Sequence, residues 1–231
     1  MTREALARRP AKRAAYVKRG SRNQHGQTMG VKGLQTRRRL MEATEELLRT
    51  TSLRDLRVAH IVKAAKTSSA TFYLYFQDVS EVVLALIGEF NQAPPELFAT
   101  LAKSWSGARG RKLAEEFVEI YIETWRARSA LLRVRNMACD EGDIRFAEAR
   151  RNAVTDILAI MAARILERQE RGEVPATLDP GAAAGALLAL LERIAALPES
   201  MPGQADGSEK LRSAAVFFAM TLFGGDFDSK N

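Results

Sequence analysis

Hydroxyl groups concentrated on one short stretch are the most chemically suggestive feature of this 231-residue chain. From Lys66 to Asp78 it reads KTSSATFYLYFQD: Ser68, Ser69 and Thr71, then four aromatic residues in five positions, in a sequence that is only 7% aromatic. A purely apolar core has no use for three hydroxyl residues. Serine, threonine and tyrosine hydroxyls hydrogen-bond phosphate oxygens and base edges, so a polar, polyanionic partner is expected. Catalysis fits poorly. The two histidines, His25 and His60, and the single cysteine, Cys139, place no base beside a nucleophile. They also leave no internal disulfide and no cluster with metal-ligand spacing, so neither metal nor cofactor is expected. The acids Asp140, Glu141 and Asp143 gather at a helix junction, where they serve as caps and solvated charges.

Charge points to the same partner. The formal net charge is +7, but residues 1–39 alone carry twelve Lys or Arg and one acid, Glu4, whereas the remaining 192 residues carry 23 bases and 27 acids. A basic front of this kind is expected to be a disordered arm that binds a polyanion, nucleic acid or an anionic surface. Its Arg-rich composition is also that of a transit peptide, but Pro10, Gly20, Gly26, Gly30 and Gly33 break any long amphipathic helix. Met29 is a possible internal start. No apolar run reaches the ~18 residues needed to span a bilayer, and a cytoplasmic protein is expected.

Behind the hydroxyl stretch stand the elements that must position it. Leu40, Ala43, Leu47 and Leu48 in QTRRRLMEATEELLRT fall at helical spacing. RDLRVAHIVKAAK gives a short second helix with Asp55 as its cap, and Ser68 caps a third. Val79, Val82, Val83, Leu86, Ile87 and Phe90 form one stripe on a fourth helix, which Pro94 and Pro95 end. Longer helices follow at about 96–103, 111–128, 129–139 and 143–171, and a further one is capped by Asp179 with Pro180 at its first position. The last runs through SEKLRSAAVFFAMTLFGG to a glycine pair. No run alternates as a strand would. The fold class is therefore all-α, with nine or ten helices: a basic arm over residues 1–33, a helix-turn-helix unit over 34–79, and a helical domain over 80–231.

Three short helices joined by tight turns are the size of a helix-turn-helix unit, whose second paired helix enters the major groove. On the Ser68-capped helix, Phe72 and Phe76 lie four apart and face inward. Thr71, Tyr73 and Tyr75 remain for contact, while Ser69 and Ala70 are small enough for the backbone to approach the groove, and the helix start favours a phosphate. Residues 35 to 90, and AKTSSATFYLYFQDVSEVVLAL above all, resemble the tetracycline-repressor (TetR) family of bacterial transcription regulators. The resemblance implies a homodimer on a double-stranded DNA operator, and a helical C-terminal domain that binds a small molecule whose arrival releases the DNA. The chain departs from the family pattern in having Lys66 where glycine is usual in the turn, Val79 in place of a phosphate-anchoring lysine, and Arg57 where a hydroxyl residue often starts the second helix. If Lys66 is left-handed, the cost is about 1 to 2 kcal/mol. Arg57, Lys63 and Lys66, with Arg37 to Arg39 and the arm, are the expected replacements for the missing phosphate contacts.

A reading unit this small contacts few bases, so two are needed, about 34 to 36 Å apart. The expected dimer surface is the last two helices, where Ala182 to Ala184, Gly185, Ala186, Ala214, Ala215 and Ala219 permit close approach and Leu187, Leu190, Leu191, Phe217, Phe218 and Leu222 supply apolar area; the same residues would equally suit an intrachain core. Phe117, Tyr121 and Trp125 recur every four residues along one helix, with Met137, Phe146 and Met161 as residues that could face them. Such a stripe is ordinarily core. As a pocket, it would take an apolar or aromatic effector, with Arg133 or Arg135 available for an acidic group. A non-specific, architectural DNA-binding protein driven by the basic arm is the alternative.

Overall fold

The computed structural model describes residues 22–90, 93–197 and 204–225. Over these it is all-α, with ten helices in the order α1 (Val31–Leu47), α2 (Val58–Ala64), α3 (Ser69–Tyr75), α4 (Val79–Phe90), α5 (Pro95–Ala102), α6 (Gly107–Arg126), α7 (Ser129–Asp140), α8 (Ile144–Glu170), α9 (Pro180–Ala196) and α10 (Gln204–Phe223). The larger part of the basic arm, residues 1–21, lies outside the described residues. The chain divides into two compact units, Met1–Asn91 with Val134–Ala149, and Gln92–Arg133 with Arg150–Asn231.

In the first unit α1 to α4 close around Leu40, Met41, Leu56, Ile61, Phe72, Phe76, Val82, Val83 and Leu86, all buried. The stripe on α4 is the one its spacing predicts. The stripe on α1 is rotated: Met41 and Thr44 are buried while Leu47 is only half-buried. Thr44 is tolerated there because its hydroxyl donates to Leu40 O at 2.8 Å, leaving no unpaired polar group. Helix α1 also begins at Val31, ahead of the glycine expected to precede it. Gly33 fits inside the first turn because a Cβ there would stand only 3.3 Å from Met29 Cβ and 3.5 Å from the Tyr75 hydroxyl; the missing side chain is what lets these neighbours in. Asp55 is not the cap of α2. Its carboxylate accepts from Ser52 Oγ at 2.6 Å, and the N-cap is Arg57, whose own N–H reaches His60 Nδ1 at 3.4 Å.

The second unit has its own core, built on α5, α6, α8, α9 and α10. Trp105, Phe117 and Phe223 meet edge to face with centroids 5.2 to 6.2 Å apart, a geometry worth about 0.5 to 1.5 kcal/mol per pair beyond area burial. Trp105 Nε1 donates to Thr100 O at 2.9 Å. Asp179 caps α9 through Ala182 N at 2.6 Å, with Pro180 at the first position as the sequence predicts. Helix α10 stops at Gly224, whose φ of +118° and whose missing Cβ, which would lie 2.2 Å from Trp105 O, both require glycine.

Candidate nucleic-acid interface

Helix α3 is only seven residues long, too short to hold itself by propensity, so its neighbours must fix it. At its start, Ser68 Oγ accepts from Thr71 N at 3.1 Å and lies 3.0 Å from Thr71 Oγ1. A cap of this kind contributes about 1 kcal/mol. Phe72 and Phe76 are essentially fully buried, with ring centroids 5.8 Å apart, and burying each stabilises the unit by roughly 1.5 to 3 kcal/mol. The Arg37 guanidinium lies 5.0 Å from the centre of the Phe76 ring.

The turn ahead of α3 follows from the end of α2. Thr67 N donates to Val62 O at 2.9 Å and Lys66 N to Lys63 O at 3.3 Å, the paired bonds of a Schellman stop. This motif needs a left-handed residue at Lys66, and Lys66 has φ +50°, the sole positive φ outside glycine among the described residues. The side chain is thereby turned out and is exposed.

Ser68, Ser69 and Ala70 are exposed at the front of α3, Thr71 is half-buried and engaged with Ser68, and Tyr73 is 53% exposed. Tyr75 is half-buried against Gly33. Leu74, 40% exposed, joins this surface without having been singled out by sequence, since an apolar residue there looks like core; its neighbour Tyr73 is the better-marked contact. Arg57, Lys63 and Lys66 are exposed, although Arg57 folds back on the carbonyls of Arg54 and Leu56. Of the α1 cations, Arg38 is committed to Glu42 at 2.8 Å and Glu89 at 2.7 Å, and the hydrogen bond it donates to Glu42 leads in holding its guanidinium above its ordinary pKa. Lys32 and Arg39 are exposed.

The 134–149 segment also belongs to the first unit and is tied to it by two ion pairs, Arg54 to Glu141 at 2.5 Å and Arg145 to Asp78 at 3.2 Å. Arg145 also holds Asp143 at 2.9 Å. That hydrogen bond is the first cause of the depressed pKa of Asp143 and of the raised pKa of Arg145.

The expected effector residues fall in both units. Phe117, Trp125 and Met161 are buried in the second unit's core, with Tyr121 partly buried against it; Arg133 is exposed there and donates to Ala196 O at 3.0 Å. Phe146 is fully buried and Met137 55% exposed, both in the first unit. Met137 is thus an exposed apolar residue of α7. Trp125 Nε1 is buried without a hydrogen-bond partner. On α9 and α10, Ala183, Ala184, Leu187, Leu191, Ala215, Ala219 and Leu222 are taken by the unit's own core, whereas Phe217 and Phe218 are 55% and 51% exposed. No group of His, Cys, Asp or Glu that could hold a metal occurs among the described residues, and no single helix there is long and apolar enough to cross a membrane.

Comparison with known proteins agrees with this arrangement. A family model described as "Bacterial regulatory proteins, tetR family" matches residues 40–86, and one described as "Tetracyclin repressor-like, C-terminal domain" matches residues 97–223. The chain is 29% identical over 155 residues to the HTH-type transcriptional regulator EthR of Mycobacterium tuberculosis, covering 67% of this chain and 71% of that one. It is 27% identical over 168 residues to EthR of Mycolicibacterium smegmatis, covering 72% and 76%. Among solved structures, Salmonella enterica GusR superposes with TM-score 0.54 at 22% identity over 82% of this chain and 96% of that one. A bacterial regulatory protein in the tetR family from Rhodococcus RHA1 gives 0.61 at 14% identity over 82% and 97%, a likeness of fold.

Proposed function

Because the chain belongs to the TetR family of transcriptional regulators, we propose that it acts in the cytoplasm as a homodimeric, ligand-responsive repressor of a palindromic operator. A DNA-binding transcriptional regulator, and not an enzyme, is what the family match and the relatives establish. The observation carrying the finer reading is Tyr73: it projects from a helix that a serine cap and two buried phenylalanines hold still, so a groove can be met without refolding. Ser68, Ser69, Ala70, Thr71, Tyr73 and Tyr75 form the reading surface, with Arg57 and Lys66 on phosphates. The exposed Phe217 and Phe218 on α10 support self-association. The unpartnered Trp125 N–H, beside Phe117 and Tyr121 on α6, supports an apolar or aromatic effector that carries a hydrogen-bond acceptor.

Selection of bound sequences from random duplexes by the full chain tests this reading. An inverted repeat with half-sites about one helical turn apart is expected. Its affinity should fall roughly 10³- to 10⁵-fold between about 50 and 200 mM salt, as for a protein neutralising 6 to 10 phosphates. Binding that shows the salt dependence with no sequence preference would favour an architectural role for the basic arm.

A further inference from the structure

Residues 22–29, a polar stretch with no periodicity, form a folded clasp. Asn23 organises it: its side-chain oxygen accepts from His25 N at 3.0 Å and Gln27 N at 2.9 Å, and its own N–H donates to Gln27 O at 2.9 Å. Gly26 supplies the positive φ the turn needs, and Arg22 pairs with Thr28 in an antiparallel bridge. Met29 is buried against Gly33 at the foot of α1.

The clasp docks where α3 ends. Gln24 N donates to Leu74 O at 2.9 Å and Gln24 Nε2 reaches Tyr75 O at 3.3 Å. Carbonyls in the last turn of a helix have no intrahelical donor, so Gln24 satisfies two groups that α3 cannot. The same Nε2 lies 2.8 and 2.9 Å from the two carboxylate oxygens of Glu81 on α4. Glu81 Oε2 also accepts from Gln77 N at 2.5 Å, and Asp78 Oδ1 accepts from Glu81 N at 2.7 Å. One side chain thus ties the end of α3, the α3–α4 turn and the start of α4 together.

We propose that Gln24 is a positioning residue for DNA reading: it fixes the recognition helix against α4 and so sets sequence discrimination without touching the duplex. The proposal rests on α3 being the reading element. Ser68 restrains the front of that helix and the phenylalanines its inner face; Gln24 restrains its end, next to Tyr73. A helix free to pivot about its front would still meet phosphates through Arg57 and Lys66, but would present Tyr73 to bases in many orientations.

The full chain with Gln24→Ala is compared with the wild type on the selected operator and on scrambled duplex, alongside amide hydrogen exchange. The expected result is an operator affinity about tenfold lower with unchanged scrambled-duplex affinity and salt slope. Amides from Tyr75 to Glu81 should exchange about tenfold faster, while those of Leu40 to Thr44 stay protected. Gln24→Lys, which keeps a side-chain donor for Glu81, should retain the wild-type ratio of operator to scrambled affinity, and this holds the test open if the alanine variant folds poorly. An unchanged ratio in Gln24→Ala, or unchanged exchange at the α3–α4 turn, overturns the proposal. A wild type with no sequence preference overturns instead the regulator reading, and exchange alone then decides whether Gln24 holds the helix.

Discussion

Arg145, at the start of α8, reaches Asp78 in the turn after α3 at 3.2 Å while holding Asp143 at 2.9 Å, so one guanidinium ties the α7–α8 corner to the α3–α4 turn. Both Arg145 and Asp78 side chains are about half exposed, 46% and 50%, and an ion pair in that setting contributes under about 1 kcal/mol. Asp143 is the group whose pKa is depressed, first by its hydrogen bond to Arg145. Its stabilisation is therefore present above its ordinary pKa of 3.8 and is lost as pH falls through the lower folded value. Urea unfolding of Arg145→Ala is expected to show a deficit below about 1 kcal/mol at neutral pH that closes as the pH falls below the ordinary Asp143 value of 3.8. A deficit independent of pH would assign the loss to packing.

Lys66 occupies a conformation that favours glycine. Lys66→Gly should stabilise the fold by up to about 1 kcal/mol, because the left-handed cost of about 1 to 2 kcal/mol exceeds the entropy glycine adds to the unfolded chain. If the exposed ammonium meets a phosphate, the same substitution lowers the slope of log affinity against log salt by about one. Thermal unfolding and a salt titration read the two effects separately, and they should move in opposite directions: a firmer protein that binds more weakly.

Tyr73 and Thr71 are expected to differ in what they lose. Tyr73→Phe should weaken binding on every duplex by a similar factor, as removal of a phosphate contact does. Thr71→Ala should relax preference at one base position by about 1 to 3 kcal/mol of discrimination, and it should also cost some helix stability, since Thr71 shares a hydrogen bond with the Ser68 cap. A library of operators substituted at single positions separates a uniform loss from a local one.

Phe217 and Phe218, each about half exposed on α10, should matter to assembly more than to folding. Replacing both with serine is expected to leave the helical content by circular dichroism unchanged, because substitutions at positions exposed in the protomer change its own stability by about 0.5 kcal/mol or less. Sedimentation should show a shift from dimer to monomer. A dimer that survives would place the interface elsewhere.

Much of the helical framework was readable because its signals are local and periodic. The α4 stripe and the Asp179 cap each depend on residues within one or two turns of one another, and the glycine stop after α10 is marked locally although Trp105 O also requires it. The four-residue spacing of Phe72 and Phe76 is by itself enough to mark both as interior. What escaped depends on distant or non-periodic partners. Gln24 finds its acceptors 50 and more positions away, and nothing in a run of polar residues marks one of them as structural. The start of α1 was hidden because Gly30 and Gly33 look like breakers until Met29 and Tyr75 are seen to fill the missing side chain's place. Asp55 had the right chemistry for a cap, but Ser52 captures it first. Met137 shows the limit of apolar type as a guide to burial, since it is 55% exposed.

Met29, buried beside Gly33, makes the loop of residues 22–29 and the first turn of α1 one packed joint. Any side chain at Gly33 would press on Met29 from one side and crowd the Tyr75 hydroxyl from the other, so a change at that single position would be felt both in the loop and at the far end of α3.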